Sequence, residues 1–357
     1  MPLDYNLTSR DRTSNLYRTA CRAAITPAHR MRVLLTGSSG WLGRHLAPRL
    51  RAAGHAVVGL DVAPGVDTHV IGSVADAALV DRTFARHGID AVVHAGARHK
   101  PDIARVPAQA FVDVNVTGTL NLLTAAVAAR HDRFVLTSTT SLMISEEIRQ
   151  DDGDAAAWLD EDFGPIAPRN IYGVTKLAAE GLCRLHHLQH GLPCIVLRTG
   201  RFFPEDDDTI RDVAGVNLKA NEFLFRRLTV EDAADAHVTA LARAPALGFD
   251  TFIVSAPVPF ARSDAHALKR DAAAVVSRYF PEAPAIYARR GWRLHTSIGR
   301  VYDAGKAERV LGFRCRTDFR AVLDALRADA PLPFVHDPRY VSPSTDPSCT
   351  SGRATCR

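Results

Sequence analysis

An α/β fold, with a doubly wound parallel sheet and a smaller C-terminal α/β lobe, is predicted by two observations on the 357-residue chain. From Met31 onward, short apolar runs alternate with longer stretches of helical periodicity, and β-α-β alternation of this kind argues for parallel strands with helices on both faces. After Thr199 the regularity falters, which sets a second lobe there. In order, the pattern predicts a strand at 32–36, a helix at 41–53 and a strand at 56–61. A helix at 74–87, a strand at 91–94, a helix at 107–130 and a strand at 133–138 follow. A helix at 171–190 and a strand at 194–199 complete the regular part. Beyond it come the acidic loop "PEDDD", a helix at 230–243, a strand at 251–255 and helices at 264–278 and 318–326.

Apolar residues make up 46% of the chain and charged residues 23%, ordinary for a soluble globular protein, and no apolar run reads as long enough to span a bilayer. The net charge of +5 comes from 44 Lys and Arg against 39 acids, spread along the chain rather than gathered in stripes, so no nucleic-acid partner is expected. The six cysteines (Cys21, Cys183, Cys194, Cys315, Cys349, Cys356) form no CxxC pair, which argues against a zinc site or a disulfide framework and suits a reducing cytoplasm. His186 and His190 have the i, i+4 spacing of a metal pair but no third ligand nearby, so they read as a wet helix face and no metal is expected. Residues 1–30 lack an apolar h-region and read as an unstructured leader, with Met31 a rival start. Residues 331–357, rich in Ser, Thr and Pro toward the end, read as a flexible tail.

The glycines of "TGSSGWLG" stand between the first strand and the first helix. Gly37, Gly40 and Gly43 have no Cβ, so the backbone of the loop, with Ser39, Trp41 and Leu42, can bring its N–H groups and the helix N-terminus up to a pyrophosphate. Asp61 closes the second strand, where an acid binds a ribose 2′-hydroxyl and repels a 2′-phosphate; NAD is therefore favoured over NADP. On this reading residues 31–200 are a Rossmann-type NAD-binding domain and 201–330 a small substrate-binding lobe, from which 229–245 can return to the first domain.

Two further stretches carry chemistry. In "IYGVTKLAAE", Tyr172 and Lys176 are four apart on one helical face, where the ammonium would lower the phenol's pKa and let it take a proton from a substrate hydroxyl. Alone, such a pair is most often a solvated surface; after a dinucleotide fold the chemical reading prevails. The strand "RFVLTSTTSLM" ends in hydroxyls, which places Thr137 to Ser141 at the sheet's carboxyl edge, where ligands bind. In "ARHKPD", Arg98, His99 or Lys100 reaches the substrate, or the segment is a solvated charged loop.

Together these motifs resemble the extended short-chain dehydrogenase/reductases, the NAD-dependent epimerase/dehydratase family, over residues 31–328. "HAGA" (His94, Ala95, Gly96, Ala97) is similar to the family's segment beneath the cofactor, and "NVTGT", beginning at Asn115, to its central helix motif. "RLTVEDAADAHVTAL" and "YDAGKAERVLGF" resemble its later segments. The resemblance implies a catalytic triad of Thr139, Tyr172 and Lys176 with NAD, and cofactor contacts that include His94, Ala95, Gly96, Asn115 and Thr137. It also puts Ser73, beside Val74, where the family usually has an acid against the adenine. Lys176 would hold the nicotinamide ribose and Thr139 orient the hydroxyl.

Departures from the family narrow the chemistry. Thr140 and Ser141 replace the Asp-Glu pair of the dehydratases, so dehydration is not expected; Met143 and Ile144 stand where many epimerases have Tyr-Gly. Arg201 replaces an asparagine, and 201–228 is much shorter than the insertion that builds a nucleotide pocket. The acids Glu205 to Asp208 would repel a diphosphate if they faced the pocket. The compact loop resembles that of uronate dehydrogenases, where Arg201 could pair bidentately with a carboxylate, although Thr140 and Ser141 replace their Asn-His pair. Arg98, Thr140 and Arg201 are thus the expected contacts of a sugar-like small molecule, oxidised at a secondary alcohol. The rivals are a nucleotide-sugar epimerase with retained NAD and a non-catalytic NAD-binding redox sensor. The helices at 107–130 and 171–190 form the dimerising bundle in many relatives, which implies a homodimer.

Overall fold

The computed structural model describes residues 30–206 and 213–343. Seven strands form one parallel sheet in the order β3-β2-β1-β4-β5-β7-β8. They are β1 (Arg32–Thr36), β2 (Ala56–Asp61), β3 (Val70–Ile71), β4 (Ala91–His94), β5 (Phe134–Thr139), β7 (Cys194–Thr199) and β8 (Phe249–Val254). Near-continuous apolar runs with both faces buried, such as Val33 to Leu35 and Cys194 to Leu197, are what a sheet covered on both sides requires. Helices α1 (Trp41–Ala52) and α6 (Val230–Leu247) cover one face. Helices α2 (Ala77–His87), α3 (Ala108–Ala128) and α4 (Ile171–His190) cover the other. Asn170 sets the start of α4, its side chain accepting from Gly173 N at 2.9 Å.

Several elements differ from the sequence expectation. The strand expected in the small lobe is β8, an edge strand of the main sheet paired parallel to β7 from Cys194↔Phe249 to Thr199↔Val254. It lies there because α6 runs back across the sheet beside α1, tied by Arg49 Nε to Asp235 Oδ1 at 2.8 Å. The helix at 264–278 is two, Ala265–Arg270 and Ala272–Tyr279, since the Asp271 side chain accepts from Ala274 N and starts a new helix. Helix α3 runs 21 residues and, by length and composition, is apolar enough to cross a membrane, contrary to the expectation that no run is. In this fold it packs between α2 and α4, and its middle, Val112–Thr117, is π-helical.

The smaller lobe holds the two-stranded sheet of β6 (Ala157–Leu159) and β9 (Arg300–Tyr302), the helix α5 (Gly215–Glu222) and helices around Phe280, Tyr287 and Phe319. Residues 331–343 are not a loose tail. Leu332 and Phe334 pack on the lobe's core, Lys219 Nζ donates to His336 Nδ1 at 2.6 Å, and Asp337 N donates to Pro204 O at 2.9 Å. Tyr340 then meets Trp41 edge-on at 5.2 Å, so apolar anchors and specific bonds outweigh the segment's polar composition. The expected leader, the acids Asp207 and Asp208, and the chain after residue 343 lie outside the described residues, except for Arg30.

Candidate active site

The glycine turn is tight for a physical reason. Gly37 has φ +72°, and a Cβ there would stand 2.7 Å from Gly96 N; a Cβ on Gly43 would stand 2.1 Å from Gly37 O. Turn, strand end and helix start therefore close to backbone contact. Asp61 ties the turn to β2: its Oδ2 accepts from Ser39 N and its Oδ1 from Ala63 N, both at 3.0 Å. Burial pushes its carboxyl above the ordinary value, and those backbone donors pull it back.

Of the residues expected to hold a dinucleotide, Gly37, Gly40, Trp41, Leu42, Gly43 and Asp61 line a cavity of about 250 Å³. Ser73, Val74, Ala95, Gly96 and Thr137 line it too, and so do Tyr172 and Lys176. Three others do not. The Ser39 hydroxyl turns away to Ala63 O at 2.8 Å and Thr68 Oγ1 at 2.7 Å. His94 lies behind the turn: Thr36 Oγ1 accepts from Gly96 N at 3.0 Å and bonds His94 Nδ1 at 2.7 Å, while His94 Nε2 bonds Thr119 Oγ1 at 3.1 Å. Burial lowers this imidazole to about 3, so it is a neutral strut. Asn115, in the π-helical stretch, spends its amide on Arg98 N (2.8 Å), Arg98 O (2.9 Å) and Thr175 Oγ1 (3.0 Å). It positions the loop after β4 rather than facing the cavity.

Since Gly43 has no room for a side chain, Gly43→Ala tests the cradle. Overpacking costs about 1–3 kcal/mol, so NADH binding is expected to weaken by roughly tenfold or more in a fluorescence titration. Wild-type affinity would mean that this turn does not hold the dinucleotide.

A second cavity, of about 610 Å³, contains Thr139, Thr140 and Arg201. Four residues line both cavities: His99, Tyr172, Thr199 and Phe203. Burial pushes the Tyr172 phenol up to about 12, and its hydrogen bond with the Thr139 side chain pulls it down. Lys176 is itself lowered to about 8 by burial, against the pull of Glu180 and Cys183. Beneath the site, Glu180 on α4 accepts from Arg198 Nη2 at 2.8 Å and from Ser138 Oγ at 2.5 Å, joining the helix to β7 and β5. Thr137 is engaged with His237 Nε2 at 2.7 Å.

The expected substrate contacts divide between the two cavities. Thr140 faces the larger one, its hydroxyl donating to Thr199 O at 3.2 Å. Arg98 lines the smaller cavity instead, because Asn115 fixes its backbone there. Arg201 lines the larger, with Nη2 turned onto its own loop, at 3.2 Å from Glu205 O and 3.0 Å from Asp206 O. Glu205 and Asp206 do line this cavity, but Lys100, Arg149, Arg169, Arg201, Arg226 and Arg300 line it with them, and burial raises the Glu205 carboxyl. The lining is cationic, so the acidic run does not make it hostile to an anion. Sequence reasoning missed Thr199, Phe203, Arg300, Tyr302 and, at the smaller cavity, Ser342. Thr199, which ends β7 at the sheet's carboxyl edge, was the one with a readable signal. Among the described residues no group of three His, Cys, Asp or Glu side chains is placed to hold a metal ion.

The family model for the NAD dependent epimerase/dehydratase family matches residues 33–248. The chain is 32% identical over 179 residues to a UDP-glucose 4-epimerase of Azospirillum brasilense, covering 47% of this chain and 48% of that one. It is 33% identical over 187 residues to an L-arabinose 1-dehydrogenase (NAD(P)(+)) of Haloferax volcanii, covering 49% and 69%. The match thus spans about half the length of the first of these. Among solved structures, a UDP-N-acetylglucosamine 4-epimerase from Bacillus cereus superposes with a TM-score of 0.57 at 20% identity, over 84% of this chain and 98% of that one. Likeness at that identity establishes the fold.

Proposed function

Because the chain belongs to the NAD-dependent epimerase/dehydratase family, we propose that it oxidises a secondary alcohol of a sugar-like small molecule, with Tyr172 as the base. The single observation that carries this reading is Tyr172 itself, which lines both the glycine-turn cavity and the cationic one, with the Thr139 side chain pulling its phenol down against burial. The first cavity fits a dinucleotide: Cβ atoms at Gly37 and Gly43 would strike backbone, and Gly40 starts α1 without a side-chain cap. Asp61 there, followed by Val62 and Ala63, supports NAD over NADP.

Bound there, the nicotinamide supplies an acceptor for the hydride that leaves the alcohol carbon. The protein's part is proton handling and position. Tyr172 accepts the hydroxyl proton, the Thr139 side chain favours the ionised phenol, and buried Lys176 adds positive charge on the dinucleotide side. The basic lining supports a substrate with a carboxylate or phosphate group.

The same 610 Å³ and the same cations favour a second reading, an epimerase on a nucleotide sugar with retained dinucleotide. A panel of free aldoses, their uronic acids and UDP- or GDP-sugars, each with NAD, separates the two. Accumulating NADH supports net oxidation; a changed sugar without NADH supports epimerisation; a protein that binds NAD but alters no sugar would remove both and leave a redox sensor. A cytoplasmic location and a homodimer are part of the proposal, the dimer supported by the exposed apolar side chains Leu120, Val174, Leu185 and Leu188 on α3 and α4.

A further inference from the structure

We propose that His99 is a further substrate-contacting residue of the reacting centre, its imidazole nitrogen hydrogen-bonding the sugar at an oxygen beside the carbon on which Tyr172 and Thr139 act. The inference rests on the reading above and names a specificity determinant within it.

Four residues border both cavities, and three of them are accounted for. Tyr172 is the base, Phe203 is apolar, and Thr199 is committed to the sheet edge, its hydroxyl donating to Ser138 O at 3.1 Å and its carbonyl accepting from Thr140. His99 is the remaining polar side chain at the junction. Its Nε2 is buried and has no hydrogen-bond partner among the described residues. Buried polar atoms are nearly always satisfied, so one without a protein partner, on a residue bordering two ligand-sized cavities, is a position a ligand atom can satisfy. The other buried histidines near the site show the contrast. His94 and His237 each bond through both ring nitrogens. His131 also has an unbonded nitrogen but lines neither cavity.

The ring is held in place before any ligand arrives. It packs on Phe203 with centroids 5.3 Å apart and planes at 31°, and Phe203 stacks in turn on Phe202 at 4.7 Å. The His99 backbone N–H donates to Asp102 Oδ2 at 3.0 Å, and Asp102 is fully buried. The preceding residue, Arg98, is clamped on both backbone atoms by Asn115. A pre-set hydrogen-bonding group loses little freedom on binding, which is the condition for a specificity contact.

The test compares wild type, His99→Phe, His99→Gln and Tyr172→Phe on the panel of aldoses, uronic acids and UDP- or GDP-sugars, with NADH binding as a control. Phe keeps the stack on Phe203 and removes the nitrogen; Gln puts an amide nitrogen back. His99→Phe is expected to lose roughly 10- to 100-fold in kcat/KM, with NADH affinity unchanged, and His99→Gln to recover most of the loss. Wild-type kcat/KM in His99→Phe overturns the inference while an inactive Tyr172→Phe leaves the function standing. Loss of NADH binding in both His99 variants makes the residue structural and also overturns it. A wild type silent on the whole panel, or an active Tyr172→Phe, removes the function and the inference with it.

Discussion

Tyr172→Phe is expected to bind NADH as wild type does and to lose roughly 10²- to 10⁴-fold in turnover. The ring that borders both cavities is kept, and the glycine turn, Asp61 and Lys176 are untouched, so the cofactor side has no reason to change. Only the phenol oxygen is lost, and with it the proton acceptor. The same argument fixes a pH dependence. With burial holding the phenol near 12, its ionised fraction grows as pH rises toward that value, so oxidation by wild type should climb from about pH 6 until Lys176, lowered to about 8, gives up its proton. The residual rate of the variant should be flat over that range. Full turnover in Tyr172→Phe would end the mechanism; lost NADH binding would show that the ring is needed to build the cavity.

The parts legible in the sequence are those with local causes. The glycine turn, α4 with its Tyr-Lys spacing and the strand ending at Thr139 each declare themselves within a dozen residues, through missing Cβ atoms, helical periodicity and an apolar run. Long-range placement was not legible. The apolar run at 249–254 suits a lobe strand as well as a sheet edge, and only the return of α6 over α1 decides it. Resemblance named His94 and Asn115 as cofactor contacts but could not tell which way each side chain faces. Both spend their polar atoms on the protein. Arg300 and Tyr302 reach the cavity from a strand well over a hundred residues after Thr139, with no spacing to announce them. The polar composition of 331–343 concealed two apolar anchors, Leu332 and Phe334.

Glu180→Ala is expected to be the most damaging change outside the cavities. Glu180 and Arg198 are 7% and 8% exposed, joined at 2.8 Å, and Ser138 adds its hydroxyl. Breaking such a pair leaves a buried guanidinium uncompensated at a cost of about 3–5 kcal/mol, a fall in Tm on the order of 5–10 °C. The loss would also reach the chemistry, because Glu180 sits one turn after Lys176 and is the foremost charge holding that amine up against burial. Without the carboxylate the Lys176 amine falls further below about 8 and holds its proton less well at neutral pH. A double variant separates the two effects. Replacing the pair by apolar residues of similar volume, Glu180→Leu with Arg198→Met, removes the stranded charge and should restore most of the stability, since buried pairs exchange for packed side chains at little net cost. Lys176 would still lack its carboxylate neighbour. Restored Tm with depressed turnover, recovering as the pH is lowered and Lys176 regains its proton, assigns Glu180 a part in tuning the amine; restored Tm with restored turnover confines it to holding α4 on the sheet.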